Sequence, residues 1–208
     1  KLISALGLPV IQAPSEGEAQ AAYMVKKEKE FASVSQDFDS LTFGASKLVR
    51  NLSIAGKRKK TSKLAYETIK PEIIDLTENL NHLGIDQNKL IALAMLVGTD
   101  YNPGGIKGIG PKNALRLVKK CSSDFDPLFE EVKWNDFFDF PWTEVFYTFK
   151  NMPTTDNYEL EWKEIDENKI VKLLVEEHDF SAERVNSSLK KLLKENKSKK
   201  QKGLGDFF

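Results

Sequence analysis

Apolar and polar positions fall into blocks along the chain, and the blocks differ in period. Residues 8–13, LPVIQA, form a short apolar run of the kind a buried strand leaves. Residues 16–29 follow with Ala21, Ala22, Met24 and Val25 on one side, which predicts a helix. Residues 31–35, FASVS, predict a second strand. Strand, helix, strand with short joints is the pattern of a parallel sheet. Residues 47–54 predict a further strand, and Pro71 suits the first position of a helix running through Leu80. Asp86 is placed to cap the next helix, NKLIALAMLVG, which is apolar all round and so should be buried. A glycine-rich turn, NPGGIKGIG, leads into PKNALRLVKK, where Ala114, Leu117 and Val118 stand at helical spacing. Residues 122–165 are rich in aromatics and predict short helices. Residues 166–176 and 181–195 predict helices, the last with Val185, Leu189, Leu192 and Leu193 as its buried stripe. From Lys197 the chain is polar and basic until it closes with GLGDFF. There is no internal repeat, and the expected class is α/β.

Composition narrows this reading. The 208 residues are 40% apolar and 30% charged, enough for one sizeable core with a charge-rich surface. No apolar run approaches the ~20 residues of a spanning helix, and no secretory signal pattern is seen. A single cysteine, Cys121, allows no internal disulfide and fits a reducing compartment, so an intracellular chain is expected. With only two histidines, His82 and His178, a zinc site is not expected. The net charge is zero, which argues against a chain that coats nucleic acid indiscriminately. Charge is concentrated in GKRKKTSK (56–63) and KKLLKENKSKKQK (190–202), each of which reads more readily as a solvated loop or tail than as a binding site. The chain begins at Lys1, inside the ordered-looking KLISALGLPVIQAP, and reads as part of a longer protein.

The candidate chemistry is acidic. Glu16 and Glu18 lie in APSEGEAQAAYMV, where Ser15 and Glu18 also fit a capping box. Gly17 weakens a helix start by roughly 1 kcal/mol relative to alanine, and makes sense if the backbone must pass close to something. Asp37 and Asp39 follow the strand 31–35 two residues apart, on one face if the strand continues, or in an Asx-type turn at a solvated strand end. Asp100 follows the buried helix, where a plain loop residue is the simple reading. Ligands gather at the carboxyl ends of parallel strands, so the five carboxylates are expected at one edge. Clustered without cations they would repel at a cost of several kcal/mol. Hard oxygen donors of this kind suit Mg²⁺ or Mn²⁺, and a pair of such ions supports phosphodiester hydrolysis. Glu16 and Glu18 would lie ~200° apart in a regular helix, so they converge only if the turn at Gly17 is irregular, if they serve different ions, or if they act through water.

Two further motifs stand out. In GGIKGIGPKNALRLV, the backbone of Gly105, Gly108 and Gly110 at a helix start suits a phosphate oxygen, with Lys107 and Lys112 adding charge. A plain helix–turn–helix corner is the simpler alternative. The ending QKGLGDFF places Gln201, Leu204, Phe207 and Phe208 in a Q-x-x-L-x-x-F-F pattern, a plug that a partner protein could bury.

Taken in order, APSEGEAQAAYM, QDFDSLTFG, LVGTDYN, GIKGIGPKNAL and QKGLGDFF resemble the structure-specific 5′ nuclease family, most closely flap endonucleases of the archaeal and eukaryotic type. The resemblance covers essentially the whole chain. It implies an α/β parallel-sheet nuclease core with a helix–two-turn–helix and C-terminal helices. On that pattern 1–121 is the core's C-terminal part, with the helix–two-turn–helix at about 89–121. Residues 122–196 are a helical region of the same domain and 197–208 the tail. It implies that Glu16, Glu18, Asp37, Asp39 and Asp100 are metal-site acids for two Mg²⁺ or Mn²⁺ ions. It implies that the hairpin grips duplex DNA and holds a monovalent cation at 105–110, and that Gln201, Leu204, Phe207 and Phe208 dock on the replication sliding clamp (PCNA). The implied activity of the monomer is cleavage of 5′ flaps in replication and repair. The family's amino-terminal region is missing from these residues. It carries two more metal-site aspartates, basic residues at the scissile phosphate and a helical arch, so the chain alone is expected not to cut. Gly17 stands where many relatives have alanine. A DNA- and clamp-binding module, and an exonuclease or repair-incision nuclease of the same family, remain alternatives; the tail favours the flap enzyme.

Overall fold

The structure, a computed structural model, describes residues 1–54, 56–59 and 66–200. The tail residues Gln201, Leu204, Phe207 and Phe208 lie outside the described residues, as does part of the basic run 56–63. In chain order the elements are α1 (Leu2–Ala5), α2 (Gly17–Lys26), β1 (Ser33–Val34), α3 (Asp39–Thr42), β2 (Lys47–Arg50), β3 (Gly56–Lys59), β4 (Tyr66–Ile69) and β5 (Glu72–Asp75). They continue with α4 (Leu76–Leu83), α5 (Gln87–Val97), α6 (Pro111–Lys120), α7 (Asp126–Glu131), α8 (Trp142–Asn151), α9 (Glu167–Val171) and α10 (Ala182–Lys200). The chain divides into two compact units, Ala13–Asp156 and a second made of Lys1–Gln12 with the chain from Asn157 onward. The aromatics after Cys121 share a core with the hairpin before it.

In Ala13–Asp156 the sheet is three-stranded, in the order β1-β2-β5. β1 and β2 are parallel, with Ser33 opposite Leu48 and Val34 opposite Val49. β2 and β5 are antiparallel, with Lys47 opposite Asp75 and Arg50 opposite Glu72. The α/β class therefore holds, while the sheet is mixed. β3 and β4 form a separate antiparallel pair. Two expectations change. The run 8–13 joins no strand, and Leu8 and Val10 within it are exposed. Pro71 does not open a helix. Residues 72–75 pair instead with β2, bringing the β-branched Ile73 and Ile74 opposite Val49 and Leu48. The helix then starts after Asp75, whose carboxylate accepts the Glu78 N–H at 3.0 Å.

The core lies where expected around α5. Asp86 caps it by accepting the Lys89 N–H at 2.9 Å, and Ile91, Ala92, Met95 and Leu96 are buried. Ala114, Leu117 and Val118 of α6 pack into the same cluster. The aromatics beyond complete it: Phe129 stacks on Trp142 at 4.7 Å, and the buried Trp134 donates its indole N–H to the Phe140 carbonyl at 2.7 Å. Burial of such rings is the largest apolar contribution available to a chain of this size. In the other unit, Val185 and Leu189 of α10 pack with Ala5 and Ile170, while Leu192 and Leu193 are half-buried.

Candidate functional site

The N-terminus of α2 does not carry the capping box. Its N-cap is Glu16, in extended backbone, with no side-chain cap bond. Glu18 turns instead toward the chain after β1, where one carboxylate oxygen accepts from the Ser35 hydroxyl and the other from the Ser40 N–H at 3.0 Å. Two donors to one carboxylate fix its orientation. Glu16, lying outside the helix, accepts from the Tyr101 hydroxyl. With Glu16 outside the helix, the angular separation of a regular helix does not govern the pair, and each glutamate takes its own partners. Gly17 is the first helical residue and a Cβ there would meet none of the described residues within 4 Å. Close backbone approach within the chain is therefore not its reason.

Asp37 and Asp39 are not carried on one face of a strand, since β1 ends at Val34. The chain turns: the Asp37 N–H donates to Ser35 Oγ at 3.1 Å, and Asp39 opens α3. α3 is set against α5 by Gln87, whose amide donates to the Leu41 and Thr42 carbonyls at 2.9 and 2.7 Å. α2 is anchored by Gln20, buried at 3% exposure. Its amide donates to the Thr155 carbonyl at 2.9 Å and accepts the Thr155 N–H at 2.8 Å.

Asp100 sits in a tight turn after α5. Thr99 and Asn102 bridge each other, and the Thr99 hydroxyl donates to Asn102 Oδ1 at 2.6 Å. The fully buried Asn102 donates its amide to the Met95 carbonyl at 2.7 Å. This turn requires two glycines in backbone contact. At Gly105 (φ +56°) a Cβ would lie 2.4 Å from the Val97 carbonyl carbon, and at Gly98 (φ +120°) 2.9 Å from the Gly105 nitrogen. Asp37, Asp39 and Asp100 then line one cavity of about 580 Å³, together with Phe38, Gly98, Pro103 and Gly104.

The electrostatics follow. Asp39 is held above the ordinary carboxylate range, first by burial and then by the charges of Glu18, Asp100, Asp37 and Glu16. All five predicted acids therefore act on one point, and Asp39 is its centre. Tyr101 is pushed up to about 12 by burial, the charge of Glu16 and its bond to Glu16. Its ring meets Phe149 edge-on at 5.1 Å. The donor set is hard oxygen, which fits Mg²⁺ or Mn²⁺. Among the described residues no three of these side chains close into a cage for one ion. An ion held here would complete its shell with water or substrate oxygens, as Mg²⁺ commonly does.

The hairpin beside this cavity is built as two exposed turns around buried anchors. Ile106 is buried and Ile109 packs against the same core, while Lys107, Gly108, Gly110 and Lys112 are exposed and Gly105 is buried. Gly110 is the N-cap of α6 and Pro111 occupies its first turn. The first N–H groups of α6 have no acceptor in their own helix. Tyr101, Asn102, Gly98, Ser35, Gln20 and Gln87 escaped the sequence reading. Only T-x-x-N after a glycine carried a local signal, that of a side-chain-supported turn.

The XPG I-region family model matches residues 7–100. Flap endonuclease 1 of Thermococcus onnurineus is 55% identical over 207 residues, covering 100% of this chain and 59% of the relative. Over its whole length the chain is similar to this flap endonuclease. It spans about 59% of the length of that curated relative. The solved flap endonuclease-1 from Methanococcus jannaschii is 43% identical with a TM-score of 0.74, over 92% of this chain and 54% of that one. The catalytic core of Rad2, solved in complex with DNA substrate, shares the fold at a TM-score of 0.67 and 23% identity, over 92% of this chain and 65% of that one.

Proposed function

We propose that this chain carries the acidic centre of a structure-specific 5′ flap endonuclease, hydrolysing phosphodiester bonds at single-strand/duplex DNA junctions in replication and repair. The observation that carries the reading is the convergence of four carboxylates on a fifth, Asp39, beside the turn that opens the glycine hairpin. Asp37, Asp39 and Asp100, lining the cavity, would hold divalent ions, Mg²⁺ or Mn²⁺, with Glu16 and Glu18 adding charge behind them. Bound there, two ions would activate water and stabilise the leaving oxygen. Tyr101 orients Glu16, and Ser35 with Ser40 orients Glu18. The exposed N–H groups at the start of α6, with Lys107 and Lys112, hold the duplex backbone without reading bases. The carbonyls of 105–110 would take a monovalent cation. Gln201, Leu204, Phe207 and Phe208 dock on the sliding clamp.

The test is cleavage of flap, bubble and nicked-duplex DNA with Mg²⁺ by a flap endonuclease carrying these 208 residues. The reading expects the flap to be cut in preference, and Asp100→Asn to bind the flap without cutting it. Undiminished cleavage by that variant would remove the acidic centre from the chemistry.

A further inference from the structure

Phe38 stands between two of the cavity's carboxylates and lines that cavity with them. It is 49% exposed and belongs to none of the buried clusters, so packing does not account for a phenylalanine here. Its ring is nevertheless held. The Arg50 guanidinium, projecting from β2, lies 4.1 Å from the ring centroid, and Arg50 Nε donates to the Gln36 carbonyl at 3.0 Å. A cation–π contact of this kind orients the ring and sets one positive charge beside the acidic cavity.

A nucleotide entering this cavity meets carboxylates that repel its phosphate. The neutral π surface among the residues lining the cavity is Phe38. Base–aromatic stacking tolerates any sequence, because every base has a π face. That suits an enzyme that recognises junction shape. We infer that Phe38, oriented by Arg50, is the stacking surface for the nucleobase next to the phosphate that reaches the acidic cavity. The inference rests on the nuclease reading above.

The experiment measures, by fluorescence anisotropy, the affinity for 5′-flap DNA of a flap endonuclease carrying these 208 residues. The DNA series replaces one nucleotide at a time, on either side of the junction, with an abasic site. At one position, loss of the base should weaken binding by the wild type about 5- to 150-fold, the range of a single stacking contact. Phe38→Ala should bind the intact and abasic DNAs alike at that position. Phe38→Leu, which keeps apolar bulk and cannot stack, should follow it, and Phe38→Tyr should behave as the wild type. If Phe38→Ala and Phe38→Leu keep the wild type's sensitivity at every position, the stacking role is overturned and the nuclease reading stands. If the wild type binds no flap DNA, both are overturned.

Discussion

Replacing Gly105 by alanine separates the geometry of the Asp100 turn from generic loop tolerance. Gly105 and Gly108 lie three residues apart in one hairpin, both at positive φ, +56° and +87°. Alanine in such a backbone costs about 1–2 kcal/mol of strain. The stiffer unfolded chain offsets about 0.4–1 kcal/mol of that. At Gly108 no described residue lies within 4 Å of the added Cβ, so strain is the whole effect. The expected loss is roughly 1 kcal/mol, or about 2–4 °C in Tm for a chain of this size. At Gly105 the same Cβ would lie 2.4 and 2.5 Å from the Val97 carbonyl carbon and oxygen, and 2.6 Å from the Gly98 nitrogen. All three are backbone atoms at the end of α5, with no side-chain rotamer to give way. Overpacking of this kind adds about 1–3 kcal/mol. The total near 3 kcal/mol corresponds to about 6–12 °C. Thermal and urea unfolding of the two variants side by side reads the difference. Equal losses, or a Gly105→Ala variant as stable as the wild type, would mean that the close contact between the end of α5 and the hairpin is not what places Asp100.

Three further outcomes follow from other contacts. Asp39 holds its proton more tightly folded than unfolded, so it imposes no penalty below the ordinary value of 3.8, and stability falls as pH rises through its raised folded value. Asp39→Asn should therefore stabilise the metal-free chain at neutral pH, by a margin that grows with pH in urea titrations; a less stable variant at pH 7 would contradict the crowding of charge at this point. Gln20→Ala removes two bonds to the Thr155 backbone and should cost about 1–3 kcal/mol, so an unchanged urea midpoint would show that α2 is anchored elsewhere. Lys107→Ala should weaken duplex binding about equally for all sequences and lower the salt-dependence slope by about 1; a change in base preference would argue against pure backbone contact.

Strong local patterns made much of the fold legible. Asp86 before an apolar stretch marked α5 with its cap, and Pro111 with Ala114, Leu117 and Val118 marked α6. Where a segment's fate depends on a distant partner, the sequence misled. Residues 72–75 are a strand only because β2 lies beside them, and the real cap, Asp75, stood hidden behind Pro71. The run 8–13 has the apolar composition of a buried strand, yet Val10 is exposed and the run joins no sheet. Type and spacing singled out the acids as candidates, but the turns that bring Asp37, Asp39 and Asp100 to one cavity were not legible. Asp37 and Asp39 meet through a turn supported by Ser35, and Asp100 is placed by buried Asn102 and the Gly98–Gly105 contact. These are long-range or backbone constraints, which leave little trace in local periodicity.

The most direct test of the acidic centre is Mn²⁺ binding to the 208-residue chain in the presence of 5′-flap DNA, followed by the paramagnetic resonance signal of the free ion. The wild type should take up Mn²⁺, and Asp39→Asn combined with Asp100→Asn should weaken that uptake by more than about tenfold. A double variant that binds Mn²⁺ as the wild type does would show that the convergence of carboxylates on Asp39 is not a metal site.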